Sequence, residues 1–312
     1  MKHVISWLNT PLLEDSFLRI WMVAAAGLAV ILAGIVILLL IRRRRRKRKQ
    51  SRVPVQEPIT EQPVPLPILE LANLQGIGSR EEQQDAFGIS PIDRLEEDGL
   101  LAVLCDGMGG MAEGGMIARE TVTQLLSLFP WEDDDGVAPW IVRHSNRIYQ
   151  QFRGHGGTTL VAVVLRENRL SFWCAGDSDL FLLREGILYA LNQRQEYKNE
   201  LLLRTLEGAL SVEDAYCDPQ AGALSQYIGK EDVICDHTRM PFFLQPEDTL
   251  LLCSDGISDI LTLKQIREAM ALPPEACCNR LEEETLAAAN PNQDNYTAIV
   301  LKYHGPKGEN DK

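Results

Sequence analysis

Three apolar runs in this chain stop on an aspartate with a glycine beside it: LLAVLC before Asp106-Gly107, SFWCA before Gly176-Asp177, and TLLLCS before Asp255-Gly256. Two further runs begin on one, Asp85-AFGIS and Asp294-NYTAIVL. Short apolar runs bounded by such residues read as strands. In antiparallel neighbours the end of one strand lies beside the start of the next, so all five aspartates can share one rim of a sheet assembly. A single aspartate at a strand end is commonly a turn residue, because its side chain bonds nearby backbone amides. Five that converge repel one another and hold raised pKa values, and a divalent cation removes the repulsion. Oxygen-only ligands select Mg2+, Mn2+ or Ca2+ over zinc. Without a Cβ, Gly107 can bring its carbonyl close to such an ion, and the glycines of DGMGG (106–110) let the loop fold tightly.

The pattern predicts strands at 85–90, 100–105, 158–165, 169–174, 179–184, 249–253 and 295–303, and helices at 113–129, 137–152, 262–271 and 274–289. The helices come in pairs, one between the early strands and one near the end. That grouping favours α+β over alternating βαβ units, with helices covering a largely antiparallel sandwich. Residues 192–247 are less regular and read as a flap. No internal repeat is visible. Cys105, Cys174 and Cys253 sit inside apolar runs as small hydrophobes. The seven cysteines form no CxxC pair or even-numbered framework, which fits a reducing compartment without disulfides or structural zinc.

Ahead of this domain the sequence is of another kind. Residues 20–41, IWMVAAAGLAVILAGIVILLLI, carry no charge. As a helix they would be about 33 Å long, enough to cross a bilayer. RRRRRKRK at 42–49 follows directly and marks the cytoplasmic side, in contact with the anionic inner leaflet. Residues 1–19 are then a short extracytoplasmic segment and the rest lies in the cytoplasm. Pro54, Pro58, Pro63, Pro65 and Pro67 make a semi-extended linker. The folded domain is expected over 68–303, with a polar tail at 304–312. Charge divides at the same place. Residues 1–67 hold 11 basic and 4 acidic side chains, so 68–312 carry −20 against −13 for the whole chain. A domain that acidic repels nucleic-acid phosphates, so nucleic acid is not an expected partner.

In order along the chain, Arg80-Glu-Glu-Gln-Gln84-Asp85-Ala86, Asp106-Gly-Met-Gly-Gly110, Gly157-Thr158-Thr159-Leu160, Gly176-Asp177-Ser178, Cys253-Ser254-Asp255-Gly256 and Asp294-Asn295 resemble the motifs of the metal-dependent protein phosphatases, also called type 2C. The resemblance covers about residues 70–303. It implies a β-sandwich flanked by helix pairs, with two or three Mn2+ or Mg2+ ions at one rim. It implies that Asp106 bridges two metals, that the Gly107 carbonyl binds one, and that Asp255 and Asp294 bind the other. Asp85 would sit beside them, and Asp177 with Asp255 would hold the third metal found in many bacterial members. Arg80 would take the substrate phosphate, since its planar fork pairs two phosphate oxygens. The chemistry implied is hydrolysis of phosphoserine and phosphothreonine in proteins by a hydroxide shared between two metals about 3.5–4 Å apart. By the same analogy the partners are phosphoproteins, with a membrane Ser/Thr kinase and its targets among them.

Three positions depart from the family pattern. Gln84 stands where Glu is frequent and carries no charge. Asp179 replaces the arginine of Gly-Asp-Ser-Arg, which predicts a changed local ion pair and not lost chemistry. Met108 occupies a position that is histidine in many eukaryotic relatives, and a thioether donates no proton. Two other functions fit parts of the pattern: a binding or signalling module of the same fold, supported by Gln84, and a two-metal nuclease, which the −20 charge disfavours. Neither His155 nor Ser178 has a sequence partner that would make it a nucleophile.

Overall fold

The computed structural model describes residues 68–108 and 113–305. The apolar run at 20–41, the basic run, the proline-rich linker, Gly109, Gly110 and the end of the tail lie outside the described residues. Among those described, no helix is long and apolar enough to cross a membrane.

Eleven strands are described: β1 (Leu69–Gly76), β2 (Ala86–Ile89), β3 (Leu100–Cys105), β4 (Leu160–Arg166), β5 (Arg169–Ala175), β6 (Asp179–Arg184), β7 (Ile187–Ala190), β8 (Asp236–His237), β9 (Phe242–Phe243), β10 (Thr249–Cys253) and β11 (Tyr296–Tyr303). One sheet runs β1-β11-β10-β6-β7 and the other β2-β3-β4-β5-β8, with β9 also on β5. Every strand pair is antiparallel. The α+β sandwich expected from the pairing of helical segments is the architecture found.

Side chains alternate across a strand, and here both faces are covered, so the central strands read as unbroken apolar runs. From β3, Leu100, Ala102 and Leu104 point into the core between the sheets, where they meet Leu250, Leu252, Ile299 and Leu301 of the opposite layer. Leu101, Val103 and Cys105 point the other way, under helices α1 (Gly114–Leu128) and α2 (Val137–Phe152). The second sheet repeats the arrangement. Leu251, Cys253, Ala298 and Val300 face outward against α5 (Leu263–Met270) and α6 (Pro274–Ala287). Local signals fix those two helices. Thr262 and Gln265 form a reciprocal capping box at the start of α5, and Pro274 occupies the first turn of α6, where its missing N–H costs nothing. All seven cysteines are free, and Cys105, Cys174 and Cys253 are buried.

Two edge strands, β1 and β7, were not expected. The flap segment is also more ordered in sequence than its composition suggests. It contains α3 (Tyr197–Leu206), α4 (Val212–Cys217) and the short strands β8 and β9. The expected strand at 158–165 begins at Leu160 instead. Thr158 forms isolated bridges to Gly107 and Ile228, which spends its backbone on the rim loops.

Candidate metal centre

The register of the strands places the acids. Ala86 pairs with Cys105, so Asp85 and Asp106 are neighbours at one end of the first layer. Cys253 pairs with Ala298 and with Asp179, which brings the turn at Asp255, the start of β11 after Asp294 and the start of β6 after Asp177 to the same end of the second. The two layers are joined there by Asp85. Its Oδ2 accepts hydrogen bonds from Ser254 Oγ at 2.9 Å and Thr297 Oγ1 at 2.7 Å, both from the opposite sheet.

Asp106 is pinned through its backbone. Its N–H donates to Thr159 Oγ1 at 2.9 Å, and its carbonyl accepts from Thr159 N and Thr158 Oγ1, each at 2.8 Å. This explains the Gly-Thr-Thr element, which fixes the central acid and does no chemistry itself. At Gly107 an added Cβ would lie 2.6 Å from the Gly114 carbonyl carbon and 2.7 Å from Gln84 O, so no larger residue fits. Gly176 supplies φ +107 for the turn that presents Asp177. Asp294 caps its own strand, accepting from Asn295 N at 2.8 Å, and its Oδ2 pairs with Arg80 Nη2 at 2.6 Å.

The electrostatics follow from this crowding. Burial pushes Asp106 well above the usual carboxylate range, and the charges of Asp85, Asp255 and Asp177 push it further. Asp85 is raised to about 6, by burial first, against the hydrogen bonds from Thr297 and Ser254. Asp177 is raised to about 7 by burial and by Asp255. Burial also raises Asp255, with Asp259 and Asp294 adding to the shift. Thus the fold holds Asp85, Asp106, Asp177 and Asp255 together at a cost that neutralising charge would relieve.

Among the described residues no three acidic, histidine or cysteine side chains are arranged to hold an ion as they stand. The hydrogen bonds show why: one oxygen of Asp85 faces hydroxyls and one of Asp294 faces Arg80. The donors nonetheless fit divalent cations. Asp85 Oδ1 and Asp255 Oδ1 are buried with no hydrogen-bond partner, the Gly107 backbone forms a cradle that a Cβ would fill, and the set is oxygen only. All seven residues singled out in the sequence, Arg80, Asp85, Asp106, Gly107, Asp177, Asp255 and Asp294, meet at this one rim.

Residues 76–294 match the family described as Protein phosphatase 2C. The chain belongs to that family. It is 31% identical over 216 residues to the serine/threonine protein phosphatase PstP of Mycobacterium tuberculosis, across 64% of this chain and 40% of that protein. It is 27% identical over 220 residues to the serine/threonine phosphatase stp of Listeria monocytogenes, across 65% and 84%. This chain therefore matches less than half the length of the mycobacterial relative. Among solved structures, that of the M. tuberculosis phosphatase PstP/Ppp aligns with a TM-score of 0.62 at 27% identity, covering 76% of this chain and 100% of that one. The PstP catalytic domain in complex with two manganese ions aligns at 0.60 and 26%, covering 75% and 97%.

Against the protein phosphatase 2C pattern, the departure at Asp179 is resolved by a partner. Arg194 Nη2 donates to Asp179 Oδ2 at 2.6 Å, and its Nε contacts both carboxylate oxygens at 3.1 Å. Ser178 Oγ is buried against Thr159 Oγ1 at 2.8 Å, which removes it as a nucleophile. Sequence reasoning missed Thr297 and Arg194. Ser254 lay inside a quoted motif, immediately before an acid, and could have been found. Thr297 carried no signal, being one polar residue in an apolar strand.

Proposed function

We propose that this chain is a metal-dependent protein phosphatase that hydrolyses phosphoserine and phosphothreonine monoesters. The observation that carries the reading is Arg80 at the edge of the acid cluster, its Nη2 2.6 Å from Asp294 Oδ2. A guanidinium fork beside a cluster suited to hard divalent cations is the pairing that a phosphate monoester needs. The names of the relatives support the same reaction.

Asp106, the Gly107 carbonyl, Asp255, Asp294 and Asp85 would hold the cations. When bound, two divalent ions acidify water to a nucleophile and offset charge on the phosphoryl oxygens. Arg80 turns from Asp294 to the phosphate and orients it, while Asp85, clamped by Ser254 and Thr297, keeps the two sheets at a fixed separation under the site. Burial of the Asp106 carboxylate keeps bulk water from screening the field there. Met108 carries no transferable proton, so the leaving serine or threonine oxygen takes its proton from water.

The test is hydrolysis of a phosphothreonine peptide by the purified full chain with Mn2+, beside the Asp106→Asn variant. Loss of turnover by a factor of about a thousand or more, with the fold retained, is expected. An active variant, or a wild type that is inert with every divalent ion, refutes the reading. The same proposal places the chain in the cell membrane through 20–41, with the basic run on the inner leaflet, the phosphatase domain in the cytoplasm and a membrane Ser/Thr kinase and its targets as partners. Support comes from the uncharged run and the RRRRRKRK that follows. Release of the chain from membranes by alkaline carbonate would end that part.

A further inference from the structure

A pocket of about 350 Å3 opens in the flap, between α3 and the returning segment 220–230. Backbone bonds set its walls. Tyr197 N donates to Ala223 O and Ser225 N to Gln195 O, each at 2.8 Å, which closes the start of α3 onto that segment. The segment is tied to the metal centre. Ile228 N donates to Thr158 O at 2.8 Å and Thr158 N to Ile228 O at 3.0 Å, and the Thr158 hydroxyl is the one that donates to Asp106 O. Tyr227, on the pocket wall, meets Met108 over Gly157: a Cβ there would lie 2.5 Å from Tyr227 Cδ2 and 2.6 Å from Met108 Sδ. From α2, Ser145 Oγ accepts from Gly229 N at 2.9 Å and donates to Lys230 O at 2.7 Å, so the same wall is anchored to the helix layer. The pocket is therefore held in place beside the loop that follows Asp106.

Its polar lining is made mostly of donors. The hydroxyls of Tyr197, Tyr227 and Ser225 and the carboxamide of Gln220 have no hydrogen-bond partner among the described residues. Lys230 Nζ donates to Ser225 O, and among the described residues no carboxylate pairs with it. An ammonium has three protons, so two remain for a ligand. Glu200 is the one carboxylate on the lining, and it is exposed and free to turn to solvent. A half-buried cation held only by a neutral carbonyl, with hydroxyls around it that can donate, suits an anion. We propose that this pocket takes an anionic side chain of the substrate, a carboxylate or a second phosphate, a few residues from the phosphothreonine, and so favours acidic or multiply phosphorylated segments. The inference rests on the phosphatase reading given above and adds the substrate class to it. The charge of −20 on 68–312 disfavours an acidic peptide at long range, so only local contacts of this kind can reverse that order.

The experiment measures KM and kcat of the Mn2+-loaded full chain on a set of phosphothreonine peptides. They carry alanines, glutamates, lysines or a hydrolysis-resistant phosphonate on one flank of the phosphothreonine and then on the other. On at least one flank the glutamate or the phosphonate peptide should show a KM about fivefold lower than the alanine peptide. Which of the two gains more identifies the anion as carboxylate or phosphate. Lys230→Gln should abolish the preference, and Lys230→Arg, which keeps the charge, should retain it. Equal KM values for all the peptides, a preference for lysines, or a preference that survives in Lys230→Gln overturns the inference. The wild-type comparison can do so alone, whether or not the variants fold. Hydrolysis of all the peptides with no preference would leave the phosphatase reading standing. Hydrolysis of none would remove both.

Discussion

His144 offers a sharp test of how the helix layer behind the rim is held. It is 3% exposed between α1 and α2. Its Nε2 lies 3.0 Å from Thr121 Oγ1, its Nδ1 is 2.9 Å from Arg147 Nη2, and its ring stacks on Trp140 at 4.8 Å. Arg147, itself paired with Glu120 at 2.7 Å, can only donate, so Nδ1 accepts and the ring must be neutral with its hydrogen on Nε2. Burial, and then the Arg147 charge, push the imidazole down from 6.5 to about 4. The unfolded chain takes up a proton near 6.5, whereas the fold refuses it until about 4. Stability is therefore complete above 6.5, falls as the pH drops through that range and levels off below 4. The full loss is about 3 kcal/mol, and roughly 1 kcal/mol of it falls between pH 7.5 and 5.5. Urea unfolding of the Mn2+-saturated protein at those two pH values should show this loss. His144→Gln keeps an amide donor for Thr121 and cannot titrate, so it should lose roughly 1 kcal/mol less across the interval. Equal losses in the two proteins would refute the neutral, buried imidazole.

Other outcomes test the rim itself. Gly107→Ala places a methyl 2.6 Å from one backbone atom and 2.7 Å from another, neither of which can yield alone. A stability loss of about 1–3 kcal/mol and weaker Mn2+ binding should follow, and wild-type melting and metal titration would show that the cradle is not tight. In the metal-free protein the raised Asp85 and Asp177, at about 6 and about 7, favour folding when protonated, so stability drops as the pH rises from about 4 through 7. EDTA-treated protein should melt lower at pH 8 than at 5.5, and saturating Mn2+ should remove most of the difference; a chelator without effect at pH 8 contradicts this. Arg80→Lys replaces a fork with a point charge and should raise KM for a phosphothreonine peptide about tenfold at an unchanged metal count, while an unchanged KM would dismiss Arg80 as the phosphate ligand.

Much of the fold was legible because the central strands are covered on both faces. LLAVLC and TLLLC can be read without knowing their neighbours, and α1, α2, α5 and α6 fell within a residue or two of their expected limits. The edges were not legible. β1 has Glu70 and Asn73 among its apolar residues, and β7 is largely exposed, so neither carries a burial signature. At the site, the five acids could be placed because strand pairing turns sequence ends into neighbours. What holds them could not. Arg194 lies 15 positions from Asp179 and meets it only after β6 and β7 have paired. Arg80 and Asp294 were assigned to separate tasks, substrate and metal, yet they touch across 214 positions of chain.

Asp85 and Asp106 belong to one sheet and Asp255 and Asp294 to the other, so under the proposed function the two layers would act as the jaws of a caliper around the ions. Ligand distances tolerate only about ±0.2 Å, far less than a hydrophobic layer needs to stay packed when it slides. A substitution buried deep between the jaws, at Phe172 or Leu182 for instance, would then be felt first as weakened ion capture, in a protein whose circular dichroism is still intact.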